Sequence, residues 1–187
     1  MGSQDGRVRS RGMPRMRSIA QSFLIYLLLS FPAHVAAGTP SEYQLKAAFL
    51  YNFALFTEWP EAVGDTLDLC IYGSDPFGDA LLPLNHRRVG PRRIITQLPT
   101  TLAELPDCEL VFIARSAMGQ LPEILGAVHG LPILTVADSP GAMRRGVAIN
   151  MITQHNRIAF EANLTAARAH SLNLSSRLLR LAEEVEK

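Results

Sequence analysis

Apolar runs and alternating apolar and polar positions recur along the chain, separated by turn residues. Runs of this kind, bounded by Gly, Pro, Asn or Asp, are typical of β-strands. The predicted strands are residues 66–72, 93–98, 109–114, 131–137, 147–153 and 157–162. The segment 131–137 is apolar almost throughout, as expected of a parallel strand covered on both faces. Residues 154–156 join the last two strands and predict a hairpin, in which Asn156 suits a positive φ.

Segments with helical signals alternate with these strands. The first has Thr39 as its predicted N-cap and Pro40 in its first turn, and Glu42 completes a capping box. It runs to about Glu58 and is ended by Pro60. Further helices are predicted at residues 75–82, 116–128, 163–170 and 175–185. This order predicts an α/β fold, a three-layer sandwich in which a mixed, mostly parallel, Rossmann-like sheet is flanked by helices.

The N-terminus has the pattern of an export signal. Five arginines precede an apolar segment at residues 19–31, and small residues follow up to Ala37. This pattern predicts a signal peptide at residues 1–37 and a single domain at residues 38–187. A membrane anchor is the alternative, but a helix of these thirteen residues would be only about 20 Å long, short of a hydrocarbon core of about 30 Å. Translation could also start at Met13 or Met16.

The charge balance changes once the predicted leader is removed. The full chain has 18 Lys and Arg against 17 Asp and Glu, a formal net charge of +1. The leader contains five of the basic residues and one of the acidic ones, so the remainder carries a formal net charge of −3. A basic surface for nucleic acid is therefore not expected, and export also argues against a nucleic-acid partner.

The two cysteines, Cys70 and Cys108, predict a disulfide, because an even number of cysteines in an exported chain is usually paired. Two buried free thiols are the alternative. A CxxC motif is excluded, because 38 positions separate the two residues. The histidines do not lie at metal-ligand spacing, and no motif of a nucleophile with its base is present. We therefore expect no enzymatic activity, no metal and no cofactor.

Two regions are candidates for binding an anion or another small molecule. The first is an arginine cluster around the Val89-Gly90-Pro91 turn, made of Arg87, Arg88, Arg92 and Arg93, which could hold a phosphate or an acidic group. A solvated turn is the alternative. The second is the rim of loops that follow predicted strands, because ligands of open α/β sheets bind at the carboxyl ends of strands. These loops are residues 73–75, 115–116 and 138–139, and ordinary helix capping would also explain their Ser and Asp residues.

The first helix is apolar on more than one side, which predicts either burial within the domain or contact with a partner. Phe53 and Trp59 are the predicted aromatic anchors of such a contact. Arg177 and Arg180 are three positions apart on the predicted last helix, so they can share one face and reach an acidic partner. A second copy of the chain is another candidate for this contact, which would make the protein a homodimer.

Two sequence blocks resemble the YfiR-like family of periplasmic regulators. The first is Lys46-Ala47-Ala48-Phe49-Leu50-Tyr51-Asn52-Phe53-Ala54, followed by Phe56-Thr57-Glu58-Trp59-Pro60. The second comprises Phe160-Glu161-Ala162-Asn163-Leu164, then Ala166-Ala167-Arg168, then Leu174-Ser175-Ser176-Arg177-Leu178-Leu179-Arg180-Leu181-Ala182. The blocks bracket nearly the whole chain that follows the predicted leader. Their residues are packing residues, so the resemblance is more specific for the fold than for a ligand.

The resemblance implies a function in signalling. It implies a periplasmic protein that binds and represses an inner-membrane diguanylate cyclase or a similar sensor, and so controls cyclic-di-GMP signalling and biofilm formation. The chain departs from those family members that carry a second cysteine pair toward the C-terminus, because it has none there. The alternative function is a periplasmic small-molecule binding or sensing protein without a cyclase partner.

Overall fold

An eight-stranded sheet lies at the centre of the structure, a computed structural model that describes Gly2, residues 39–155 and residues 157–187. The elements in chain order are α1 (Glu42–Phe56), β1 (Thr57–Glu58), β2 (Thr66–Tyr72), β3 (Arg88–Val89), β4 (Arg92–Gln97), β5 (Leu110–Ile113), α2 (Leu121–Ala127), β6 (Leu134–Ala137), β7 (Ile149–Gln154), β8 (Arg157–Asn163), α3 (Leu164–Ala169), β9 (Asn173–Leu174), α4 (Ser176–Leu179) and β10 (Glu184–Glu186). Apart from Gly2, the predicted leader lies outside the described residues.

The sheet is mixed and mostly parallel. Its strand order is β10-β8-β7-β6-β5-β2-β4-β3, and only β7 with β8 and β4 with β3 pair in antiparallel fashion. A separate antiparallel pair joins β1 to β9. Each predicted strand is present, with ends that differ by at most three residues from the prediction. In the β7–β8 hairpin His155 has a positive φ of 47°, and Asn156 lies outside the described residues.

Helices cover both faces of the sheet, so the predicted α/β fold is confirmed. On one face α1 packs Leu50 and Phe53 against the sheet, and the ring of Phe53 lies 5.1 Å from that of Phe160. On the other face α2 buries Leu121 and Ile124 completely against the opposite side of the central strands. Burial of apolar side chains on both faces of one sheet is what holds a three-layer arrangement together.

The predicted disulfide is present between Cys70 and Cys108. Cys70 lies in β2 and Cys108 lies just before β5, and these strands are neighbours in the sheet. The two Cα atoms are 6.1 Å apart, within the range that a disulfide spans. The bond therefore joins two elements that strand pairing also holds together.

The first helix starts later than predicted and ends earlier. Its N-cap is Ser41 and not Thr39, and the capping box is formed with Gln44. The helix ends at Phe56, because Thr57 is extended and pairs with Leu174 across β1 and β9. The prediction of a helix continuing to Glu58 is therefore wrong at that end.

The predicted last helix, residues 175–185, is wrong over most of its length. Only Ser176–Leu179 is helical, and Glu184–Glu186 then forms β10, which pairs in parallel with β8. The backbone N–H of Glu183 donates to the carbonyl of Phe160 at 2.9 Å, which brings this segment to the sheet edge. Val185 is half-buried between two exposed glutamates, a period-two pattern that fits a strand.

Two other predicted helices are also shorter or different in type. Residues 78–81 form a 3₁₀ turn, and residues 115–120 form another before α2 begins. Asp75 still has its predicted capping role, because its carboxylate accepts from the backbone N–H groups of Phe77 and Gly78 at 2.8 and 3.2 Å. None of the helices in the described part of the chain is both long and apolar enough to span a bilayer.

Candidate functional site

A cleft of about 480 Å³ opens at the carboxyl ends of β5 and β6, and we refer to it as the strand-end cleft. It is lined by Arg115, Asp138, Ser139, Pro140, Gly141, Asn150, Met151, Ile152, Thr153, Gln154 and Glu161. Arg115 follows β5, and both Asp138 and Ser139 follow β6. Three residues of the predicted rim are thus brought together where ligands of open α/β sheets bind.

The remaining residues of the predicted rim line a neighbouring cavity of about 550 Å³. Its walls include Gly73, Ser74, Asp75 and Ser116. The hydroxyl oxygen of Ser116 accepts from the backbone N–H of Ser74 at 2.8 Å, so these loops hold each other. Since Asp75 and Ser116 are satisfied by backbone groups, ordinary loop capping accounts for them.

Asp138 is the centre of a buried polar cluster at one side of the strand-end cleft. Its side chain is 1% exposed, and one carboxylate oxygen accepts from Lys46 at 2.5 Å and from the hydroxyl of Tyr43 at 3.2 Å. The other oxygen lies 3.4 Å from Nε of Arg115. Lys46 is itself 1% exposed and also pairs with Glu42, one turn earlier in α1. The cluster therefore joins the first helix to the loop after β6.

Burial and hydrogen bonding act in opposite directions on the pKa of Lys46. Burial lowers the pKa of Lys46, but hydrogen bonds to Asp138 and Glu42 outweigh it and raise that pKa above its ordinary value. The pKa of Tyr43 is also raised, first by burial and then by the negative charge of Asp138. Lys46 is accordingly charged, and Tyr43 neutral, throughout the physiological pH range.

Asn150 connects the other side of the strand-end cleft. This buried amide in β7 accepts from the backbone N–H of Ser139 at 3.1 Å and donates to Glu161 at 3.0 Å. Glu161 is the cross-strand neighbour of Asn150 in β8. The side chain of Asn150 therefore fixes both the loop after β6 and the carboxylate of Glu161. Ser139 is 7% exposed, and its hydroxyl has no hydrogen-bond partner among the described residues.

The predicted arginine cluster does not act as one group. Arg92 donates to the backbone carbonyls at positions 60, 63 and 64, at 2.9 to 3.3 Å, so it holds the loop before β2. The guanidinium of Arg87 lies 3.8 Å from the ring centroid of Tyr51 in α1. Arg88 and Arg93 face each other across β3 and β4. Binding of an anion by these four arginines remains a proposal. Arg92 is the least suited of them, because its guanidinium is already hydrogen-bonded to backbone carbonyls.

The four predicted interface residues differ in how far they are exposed to solvent. Phe53 is fully buried, so its predicted role as a direct contact with a partner is wrong in this fold. Trp59 is half-buried, and its indole N–H donates to the carbonyl of Ala54 at 3.0 Å. Arg177 is exposed, with its guanidinium 5.7 Å from the ring centroid of Phe56, and Arg180 is exposed nearby.

One side of α1 faces solvent and carries no charged residue. This α1 outer face is made of Leu45, Ala48, Asn52 and Leu55, which are all exposed. Leu45 and Leu55 are each 40% exposed, an unusual degree for large apolar residues on one helix face. Phe56, the last residue of α1, has Arg177 over its ring, and Trp59 follows beyond the end of the helix. The first helix thus does expose apolar residues, as the sequence predicts. They lie on the α1 outer face and not on the side that carries Phe53.

Sequence reasoning missed Lys46 and Asn150. Lys46 is the only charged residue between Glu42 and Glu58, and a lone lysine in an otherwise apolar helix is a usable signal, since a buried lysine needs a partner. Asn150 lies in a strand pattern with no local mark of its role. No cluster of three or more His, Cys, Asp or Glu side chains suited to a metal occurs in the part of the chain that was described.

In a comparison with protein families, residues 43–183 match a family described as YfiR/HmsC-like. This covers more than half of the chain. A search of curated proteins finds no significant match.

Two solved structures resemble this chain at very low sequence identity. One similar structure is a conserved domain protein from Vibrio cholerae O1 biovar El Tor, with a TM-score of 0.49 and 7% identity. Another is an ABC domain in complex with L-Trp from Streptococcus pneumoniae, with a TM-score of 0.50 and 8% identity. These matches cover 78% and 76% of this chain, which spans 60% of each of the other two. At such identity the second likeness concerns the fold alone.

Proposed function

We propose, because the chain belongs to the YfiR/HmsC-like family, that it is a repressor that binds the periplasmic domain of an inner-membrane diguanylate cyclase or a similar sensor. Members of this family act in the periplasm through partner proteins and are in general not enzymes. The match over residues 43–183 is the observation that carries the proposal. Repression of the cyclase would lower cyclic-di-GMP and so restrain biofilm formation.

The surface proposed for this contact is the α1 outer face together with Trp59, Arg177 and Arg180. An apolar patch beside exposed arginines has the composition of an interface, in which apolar residues supply buried area and arginine supplies directed hydrogen bonds. Arg177 and Arg180 would meet acidic groups of the partner, whereas Leu55 would be buried. A second copy of the chain could occupy the same surface, and measurement of the molecular mass in solution separates a homodimer from a complex with the cyclase.

Changing Leu55 to Glu should abolish capture of the membrane partner while leaving the fold intact. Leu55 is 40% exposed, so a carboxylate there stays hydrated in the free chain but would be buried without a counter-ion in the complex. We expect at least about tenfold weaker binding, as for a central interface residue. The measurement is a pull-down from solubilised inner membranes, with the captured cyclase identified by mass spectrometry.

The matched control is Leu98→Glu, which makes the same change at a leucine that is 59% exposed in the loop after β4. It should capture the partner as well as the wild type does. Circular dichroism and light scattering on both variants verify folding and molecular mass. Equal capture by Leu55→Glu and the wild type would remove the α1 outer face from the proposal, and failure of the wild type to capture any cyclase would contradict the proposed function.

Export of the chain is a separate prediction. We expect cleavage after Ala37, because small residues follow the apolar segment 19–31 at that point. The disulfide fits an oxidising compartment such as the periplasm. The intact mass of protein recovered from a periplasmic extract should correspond to a chain beginning at Gly38. A mass that still includes the apolar segment would contradict cleavage and favour an anchor.

The alternative function is small-molecule binding or sensing without a cyclase partner. The strand-end cleft is the observation that favours it, because it combines a concave surface with charged groups of both signs. A transporter encoded beside this chain would support this alternative, whereas a membrane-bound cyclase or sensor kinase would support the repressor.

A further inference from the structure

Two arginines are held against aromatic rings of α1. The guanidinium of Arg87 lies 3.8 Å from the ring centroid of Tyr51, and the guanidinium of Arg177 lies 5.7 Å from that of Phe56. Both rings belong to α1 and are half-buried. A cation over the face of a fixed ring is attracted to it, so the two positive charges are held beside the helix.

The geometry of the helix places these two charges on opposite sides of the α1 outer face. Since an α-helix advances by about 100° per residue, the four residues of this face cover an arc of about 80°. Tyr51 lies about 40° beyond one border of the arc, and Phe56 lies about 20° beyond the other. Arg87 and Arg177 therefore flank the apolar face from its two sides.

Neither arginine has an acidic partner of its own. Both side chains are exposed, and within residues 39–155 and 157–187 neither Arg87 nor Arg177 forms an ion pair. A guanidinium presents parallel N–H groups that match a carboxylate in a bidentate contact. Stacking on a ring occupies the flat side of the group and leaves these N–H groups at its edge. The two borders of the α1 outer face therefore favour carboxylates of another molecule.

The shape of the α1 outer face favours a helix as its occupant. Ala48 lies between Leu45 and Leu55 along α1, and each leucine is 40% exposed. Side-chain ridges of a second helix pack into such a gap, with the two axes about 8–10 Å apart. The second helix would have the same diameter as α1, about 10–12 Å, so its own borders would lie beside Arg87 and Arg177.

Two other occupants fit these charges less well. A second copy turned face to face would bring arginines against arginines, because both borders of the face carry one. An anionic membrane surface would repel the chain that follows residue 37, which has a formal net charge of −3. Glu42 and Glu58 are also exposed near the two ends of α1. The charges therefore favour a partner whose carboxylates are confined to positions opposite the two borders.

We propose that the α1 outer face binds an amphipathic helix of the partner, in which carboxylates on both sides of an apolar stripe pair with Arg87 and Arg177. Leu45 and Leu55 are buried under the stripe and supply the apolar area, and the arginines fix the orientation of the bound helix. Since this contact rests on the proposed repressor function, it specifies the element of the cyclase or sensor that the repressor recognises.

The test uses three stapled helical peptides of roughly five turns, which share one leucine stripe and carry glutamate, glutamine or lysine on both sides of it. Calorimetry and the fluorescence of Trp59, the only tryptophan of the sequence, follow their binding to the purified chain. The glutamate peptide should bind at least about tenfold more tightly than the glutamine peptide, and added salt should reduce this difference. Equal affinities of these two peptides, or no binding of the glutamate peptide, would overturn the proposal.

Charge reversal locates the contact. The Arg87→Glu/Arg177→Glu variant should prefer the lysine peptide to the glutamate peptide, an inversion that a merely structural role of the arginines would not produce. Arg144→Glu/Arg168→Glu is the matched control, because it changes the net charge equally at two exposed arginines outside α1. It should keep the preference of the wild type. The same preference in both double variants would overturn the proposal.

Single variants decide the question if the charge-reversed chain does not fold, which circular dichroism would show. Arg87→Gln and Arg177→Gln remove one charge each and should each reduce the difference in affinity between the glutamate and glutamine peptides. An undiminished difference in both would contradict the assigned borders.

Two further measurements test the other occupants of the α1 outer face. Sedimentation of the chain with phosphatidylglycerol vesicles, lost in the Arg87→Glu/Arg177→Glu variant, would assign the face to a membrane and overturn the proposal. A dimer in solution that Leu55→Glu dissociates would assign it to a second copy and overturn the proposal as well.

Failure of the helix contact and failure of the repressor function give different results, because the peptides are used with the chain alone. A wild type that captures a cyclase but binds the glutamate and glutamine peptides equally would contradict only the helix contact. A wild type that prefers the glutamate peptide but captures no cyclase would contradict the repressor function, and the face would then bind an acidic helix of another protein.

Discussion

Replacing Cys70 and Cys108 by alanine should lower the free energy of unfolding by about 4 kcal/mol, because the disulfide closes a loop of 38 residues in the unfolded chain. The native state should change little, since β2 and β5 remain paired without the bond. For a domain of this size, we expect a fall in melting temperature of about 8–16 °C. Thermal unfolding by circular dichroism measures it.

Reduction provides the control for this prediction. Dithiothreitol should destabilise the wild type by a similar amount and should have no effect on the Cys70→Ala/Cys108→Ala variant. Alanine is preferred to serine, because both positions are buried and a serine hydroxyl would lack a partner. A variant that melts within two or three degrees of the wild type would show that the bond contributes little, and a free thiol in the denatured, unreduced wild type would contradict the bond itself.

The disulfide could be predicted from the even number of cysteines. The sheet could be predicted from the apolar runs and the alternation of apolar and polar residues along its strands. The central strands are buried on both faces, and their apolar runs are distinct from the helical segments around them. The strand at residues 184–186 was missed because three residues are too few to establish a period. Leu178, Leu179 and Leu181, just before it, also fit a helix.

Residues of the candidate site could be predicted only where their immediate sequence neighbours mark their position in the fold. The loops after β5 and β6 are marked by their position at the ends of apolar strands, and Arg115, Asp138 and Ser139 indeed meet at the strand-end cleft. The role of Arg92 was missed because its partners are backbone carbonyls, which are invisible in a sequence. An apolar helix does not indicate which of its sides faces the sheet, so its sequence predicts an interface role even for Phe53, which is buried.

Long-range ion pairs leave the least trace in a sequence. Lys46 and Asp138 are 92 positions apart, and nothing local connects them. Their contact depends on the packing of α1 over the carboxyl end of β6, which follows only from the completed fold. Since Asp138 also contacts Arg115, this pair is the physical link between the first helix and the strand-end cleft.

Changing Lys46 to Met should destabilise the protein by about 3–5 kcal/mol, because it leaves the carboxylate of Asp138 buried without its main counter-ion. Both side chains are 1% exposed, so water does not replace the lost partner. Methionine keeps most of the lysine stem's packing, so the loss is mainly one of charge. Urea unfolding measures the change. Arg115, at 3.4 Å, is a weaker partner and should place the effect toward the lower end of the range.

Glu42→Gln is the matched control. Glu42 also pairs with Lys46, but its side chain is 48% exposed, and loss of such a pair costs about 0–1 kcal/mol. The contribution of Lys46 should be constant around neutral pH. Its pKa is raised in the folded state, so the stabilisation is complete below the pKa of the unfolded chain and is lost only as the pH rises through the folded value.

A double variant distinguishes two causes of the lost stability, the unpaired carboxylate of Asp138 and the lost packing of the lysine stem. If the cost of Lys46→Met arises from the unpaired carboxylate, adding Asp138→Asn should recover part of the stability, since an amide has no charge to bury. If the cost arises from packing, the two changes should simply add. Additive losses, or equal effects of Lys46→Met and Glu42→Gln, would contradict the assignment of this pair as the electrostatic contact that fixes α1 over the end of β6.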